Sequence, residues 1–132
     1  MSTVNVLVAI DVSQAVGQVN LNNCVFMMDT NGFLGSNREG GDELLTTCFN
    51  GDTIVWSVTP IDPNTVVSIS GFTGNAVPIT INPAPVQQNS GTVWSGRVNA
   101  AGTNVQYSIS LLVGNTNIPM SFDPFITANN RS

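Results

Sequence analysis

The sequence predicts an all-β fold, a two-sheet antiparallel β-sandwich of about eight or nine strands. Three observations lead there. Apolar and polar residues alternate wherever a pattern is clear, turn signals recur about every ten residues, and no stretch combines three-and-four spacing with helix caps.

The first expected strand carries Val4, Val6, Val8 and Ile10 at alternate positions, which places them on one face. The opening residues lack a positive charge, and Asn5 and Asp11 interrupt the apolar stretch, so they read as strand and not as signal peptide. Met27 and Met28 flank the strand near Cys24 and read as soft core packing. Asp29-Thr30-Asn31-Gly32 and "SNREGGD" (36–42) read as loops. Asn50-Gly51 separates "ELLTTCF" from "DTIVWSV" and tolerates positive φ, which predicts a tight hairpin. Ile54, Trp56 and Val58 share a face of the second segment, so Trp56 is expected in the core.

"TPIDPN" (59–64) and "NPAPVQQNSG" (82–91) place Pro and Asn where strands must end. A second hairpin is expected between "TVWSGRVN" and the strand at 103, with Ala100, Ala101 and Gly102 near its turn. In that last long strand Val105, Tyr107, Ile109, Leu111 and Val113 oppose Asn104, Gln106, Ser108 and Ser110. "PMSFDPFITANN" (119–130) is expected to form a final strand. Pro124 suits its start because it lacks an N–H; Phe125 would point into the core, and Asp123 would bond nearby backbone. Two packed sheets fit this length better than a closed barrel, because the long strands carry a polar face. Residues 1–132 are expected to form one domain, long enough to bury roughly two thirds of its unfolded surface.

Charged residues make up only 8% of the chain, where about 25% is usual. Asn (17 residues), Ser, Thr and Gly supply the polarity instead. Such a surface repels its own copies weakly despite a net charge of -5, which favours self-association into a homo-oligomer and also suits a carbohydrate ligand. Lys is absent, and Arg38, Arg97 and Arg131 are scattered. No basic patch can neutralise a phosphate backbone or an anionic membrane, so nucleic acid is excluded as a partner. No run approaches the roughly 18 apolar residues of a span, so membrane insertion is not expected and the expected location is cytoplasmic.

Cys24 and Cys48 permit one bridge, but in a reducing compartment two buried thiols are the expected state. Histidine is absent, which removes Ser-His and Cys-His nucleophiles and His-ligated metals. With only two Cys, zinc has no ligand set. Asp11, Asp29, Glu39, Asp42, Glu43, Asp52, Asp62 and Asp123 show no spacing that singles out a catalytic pair, so no enzyme, cofactor or metal is expected. "DTNG" begins like a calcium loop, but its twelfth position is Gly40 and not Glu. Trp94 is the candidate sugar-stacking residue, because its face, with Thr92, Gly96 and Val98, is mixed. A lectin-like carbohydrate-binding module, calcium-dependent or not, is therefore the alternative reading.

Four fragments, "VLVAID" (6–11), "GDTIVW" (51–56), "VWSGRVNAAGTNVQYSISLLV" (93–113) and "SFDPFITAN" (121–129), together resemble the inclusion body protein family of bacteria, the PixA and AidA type. The matching positions are Asp11, Gly51, Asp52, Ile54, Trp56, Trp94, Gly102, Tyr107, Asp123, Pro124, Phe125 and Ile126. None is a recognised catalytic residue in that family. Members are usually longer, often carry Arg where this chain has Val55, and have aromatic residues before the Asp-Pro step, where this chain has Ser121 and Phe122. The resemblance implies a non-enzymatic, cytoplasmic bacterial protein that self-assembles or interacts with partners.

Overall fold

A computed structural model describes residues 2–21, 23–32, 44–77, 79–89 and 91–130. The expected "SNREGGD" loop, with Arg38, Glu39 and Asp42, lies outside them, as do Glu43 and Arg131.

Ten strands and one short helix are described: β1 (Thr3–Ile10), α1 (Val12–Gln18), β2 (Val25–Asp29), β3 (Leu45–Phe49), β4 (Thr53–Pro60), β5 (Val67–Gly74), β6 (Val86–Asn89), β7 (Val93–Arg97), β8 (Gly102–Val113), β9 (Ile118–Phe122) and β10 (Phe125–Asn129). The first sheet runs β2-β1-β4-β7-β6, and the second runs β3-β10-β8-β5 with β9 also paired to β8. The all-β, two-sheet expectation is met. Two refinements follow from the pairing: ten strands in place of about eight or nine, and mixed sheets, because β1 with β4 and β10 with β3 run parallel.

The inward faces follow the predicted alternation. Val4, Val6, Val8 and Ile10 from β1, Ile54, Trp56 and Val58 from β4, and Tyr107, Ile109, Leu111 and Val113 from β8 are all buried in one core cluster. Burying a large aliphatic side chain contributes about 1.5–3 kcal/mol, so these rows dominate the stability of the two-layer packing. Of the two adjacent methionines only Met27 packs in the core; Met28 is exposed, because successive residues of β2 face opposite ways.

Both expected hairpins are instead corners between sheets. Asn50-Gly51 makes a tight turn in which the Asp52 N–H donates to the Phe49 carbonyl (3.0 Å), but β3 belongs to the second sheet and β4 to the first. Gly51 alone takes positive φ (101°) there, whereas a type I′ hairpin turn needs it at both central residues. The 98–101 segment likewise carries the chain from β7 in the first sheet to β8 in the second.

The helix was not visible as a period because it spans only seven residues. Its start is nevertheless encoded: Asp11 is the N-cap, and its Oδ1 accepts the Gln14 N–H at 3.2 Å. Val12 and Ala15, three apart, bury against the sandwich.

The segment 119–130 supplies two strands. β10 lies between β3 and β8, so it is interior to its sheet. Its core-facing residues are Ile126 and Ala128, with Phe122 buried from β9; Phe125 is only half-buried, one position out of phase with Ile126. The Asp123 carboxylate accepts the Ser108 hydroxyl and not backbone N–H, while the Pro124 carbonyl accepts the Tyr107 N–H at 3.0 Å.

Candidate functional site

The residues singled out from sequence fall into three structural settings. Asp52 is buried, and its two carboxylate oxygens accept the Ser2 N–H and the Phe49 N–H, each at 3.0 Å. With the Val98 N–H donating to the Asp52 carbonyl at 2.8 Å, this corner ties the starts of β1 and β4 to the ends of β3 and β7. Gly51, Asp11, Asp123 and Pro124 likewise serve turns, a cap and strand junctions.

The aromatic residues form the second setting. Trp56 and Trp94 are direct cross-strand partners on the inward face of the first sheet. Trp56 is fully buried and its Nε1–H donates to the Tyr107 hydroxyl at 3.1 Å, a bond that spans the two layers. Phe72 of β5 sits 4.6 Å from the Trp56 ring and 5.6 Å from the Trp94 ring, centroid to centroid. Gly96 leaves room beside Trp56: a Cβ there would lie 2.9 Å from Ile81 Cγ2 and 3.4 Å from Trp56 Cζ3. Trp94 therefore packs against the core on its inner side, and its buried Nε1–H has no hydrogen-bond partner. Burial raises the Tyr107 phenol well above its usual range, only partly offset by the Trp56 hydrogen bond.

The thiols are both free and buried. Burial pushes the Cys48 thiol up to about 12, with the Asp52 and Asp29 carboxylates adding to the shift, and raises Cys24 in the same way, with Asp11 adding. Neither is a nucleophile at neutral pH. At "DTNG", Asp29 Oδ1 accepts the Asn31 N–H (2.9 Å) and Oδ2 accepts the Thr46 hydroxyl (2.7 Å). Asn31 is itself buried and donates to the Thr47 carbonyl at 3.0 Å. The Asp-Asn pair thus ties β2 to β3. Among the described residues no group of three or more Cys, Asp or Glu gathers as a ligand set.

The surface holds features that sequence reasoning missed. On the outward face of the first sheet Leu7 pairs with Met28 and Ala9 with Phe26 across β1 and β2. Leu7, Phe26 and Met28 are all exposed. Val55 and Val93 lie further across the same face, with exposed Val86 on β6. A shallow depression of about 210 Å³ beside Leu7 and Met28 reaches Asn5 and Ser57. At one end of the sandwich a larger groove of about 430 Å³ lies between α1, the 64–66 loop and the 114–116 turn. Val12, Val16 and Val66 give it an apolar wall; Ser13, Asn64, Thr65, Asn115 and Thr116 supply neutral polar groups.

These features define a β-sandwich whose fold is that of a known bacterial class. The chain superposes on the crystal structure of the inclusion body protein PixA from Burkholderia cenocepacia J2315 with a TM-score of 0.66, covering 98% of this chain and 95% of that one at 16% identity. The expected kinship with the inclusion body proteins is met at the level of the fold. By sequence, residues 2–118 match the model of a domain of unknown function, DUF8788, and the chain belongs to that family. The matched segment stops at the start of β9. No curated protein matches the chain. Among the described residues no helix is long and apolar enough to cross a membrane.

Proposed function

We propose that this chain is a non-enzymatic, cytoplasmic self-assembling or interaction protein of the PixA type. The observation that carries the reading is its likeness, along almost the whole chain, to a protein named for inclusion bodies. Low surface charge supports it, since 8% charged residues leave little mutual repulsion between copies. The absence of His and the structural employment of Asp52, Asp11 and Asp29 as acceptors for N–H and O–H groups support a role without catalysis. Multi-angle light scattering across a rising concentration series tests it: mass should grow with concentration. A monomer throughout would defeat the assembly reading.

A second reading, binding of a neutral carbohydrate, is favoured by the groove beside α1, whose hydroxyl and amide lining matches the hydrogen-bonding chemistry of a sugar. A glycan array with wild type and Asn64→Ala distinguishes it: binding lost in the variant would support it, and no binding by wild type would end it. Trp94→Ala is the poorer probe, because it also removes core packing.

A further inference from the structure

We infer that the outward face of the first sheet is a self-docking surface, on which a second copy of this chain packs sheet against sheet. The inference rests on the assembly reading above and names its interface.

Residues of β1 and β2 that do not face the core must face out, and on most soluble sheets those positions are polar. Here they are Leu7 and Ala9 on β1 and Phe26 and Met28 on β2, brought side by side by the register Leu7 to Met28 and Ala9 to Phe26. Phe26 is 42% and Met28 51% exposed, so two large apolar side chains on the edge strand stand in water. Contiguous apolar surface of this kind marks an interaction site.

Charge selects the occupant. Across β2, β1, β4 and β7 the outward residues are apolar or neutral, Asn5, Ser57, Thr59 and Ser95 among them, and Arg97 at the corner is the one charge. Of the described acids only Asp29 borders the depression beside Leu7 and Met28, and its carboxylate already accepts the Asn31 N–H and the Thr46 hydroxyl; Asp11 caps α1, Asp52 is buried, Asp62 is in a loop and Asp123 bonds Ser108 of β8. A strongly charged partner would find almost nothing to pair with. A second copy, almost uncharged on the same face, needs no counter-charge there.

Size is consistent with a reversible dimer. Five strands about 4.8 Å apart and about 13–26 Å long present roughly 450–500 Å² per copy before side-chain relief, below the ~800 Å² per partner of a standard stable interface. The contact is isologous, so the Phe26 of each copy can fill the depression beside Leu7, Met28 and Ser57 on the other.

The test uses the full chain in sedimentation velocity from micromolar to near-millimolar concentration. Wild type should shift from monomer to dimer. Phe26→Glu and Met28→Glu should weaken dimerisation by about tenfold or more while leaving the melting curve cooperative, because each places charge in the contact. Ile79→Glu, at an exposed apolar residue off this face, should leave it unchanged. A readout without mutation follows Met28 oxidation by dilute peroxide in wild type, which should slow as concentration rises, with buried Met27 resistant throughout. Dimers that form equally in both Glu variants, or Met28 oxidation independent of concentration while dimers form, would overturn this face and leave the assembly reading standing. A wild type that stays monomeric would overturn both.

Discussion

Asp52→Ala isolates the inter-sheet corner. In the wild type one buried carboxylate accepts two backbone N–H groups, from Ser2 and Phe49, each at 3.0 Å. A hydrogen bond to a charged group contributes about 1.5–3 kcal/mol, and losing the acceptor leaves both donors poorly satisfied. The expected loss is about 3–5 kcal/mol, or a fall in Tm of roughly 10–20 °C for a chain of this length. Asp52→Asn should recover little, since one amide oxygen can replace one acceptor while its NH₂ confronts the other N–H. Urea unfolding followed by tryptophan fluorescence measures the loss directly, because Trp56 is buried in the core. Asp62→Ala is the comparison: Asp62 also accepts a backbone N–H, from Asn64 at 2.9 Å, but is exposed, and its removal should cost less than about 1 kcal/mol. Equal losses in the two variants, or a loss under about 1 kcal/mol for Asp52→Ala, would refute the reasoning.

Three further outcomes are expected. Tyr107→Phe removes the acceptor of the Trp56 N–H and should destabilise by about 1–3 kcal/mol in chemical denaturation, more than Trp94→Phe, whose N–H has no partner to lose. Stability should fall at alkaline pH. Cys48 keeps its proton in the fold up to about 12 while the unfolded chain releases it near 9.0, so its contribution is intact below pH 9 and is lost between those values, by up to about 1.4 kcal/mol per pH unit. Cys48→Ser should flatten that slope in urea titrations from pH 8 upward, and an unchanged slope would contradict it. Truncation before Pro119 removes all but the first residue of β9 and the whole interior strand β10, and should abolish the cooperative melt by calorimetry.

The faces of β1, β4 and β8 could be read from period two because each strand has one face in the core, and a one-residue error would turn the whole row to water. Topology was less legible. Asn50-Gly51 states that the chain turns, but nothing in those two residues states whether the next strand joins the same sheet or the other one. The parallel pairing of β3 with β10 is equally invisible, since no local signal links Leu45 to Phe125. Trp94 looked mixed because Gly96 and Thr92 are small, yet Gly96 is small in order to admit Trp56 and Ile81. The proposed docking face could not be seen one strand at a time. A single Leu7 in β1, or a single Met28 in β2, is unremarkable on a surface, and only the register makes them neighbours.

The place of β10 inside its sheet also sets an order of events during synthesis. β3 ends at Phe49, whereas its partner begins at Phe125, so β3 is made 76 residues earlier. At about 5–20 residues per second, β3 lacks that partner for roughly 4–15 s after it is made. Throughout that interval Leu45, Cys48 and the open edge of β3 are available to other strands, including those of neighbouring nascent copies. The gap between two paired strands thus acts as a clock, and slower translation between residues 49 and 125 should raise the fraction of chains that associate before they fold.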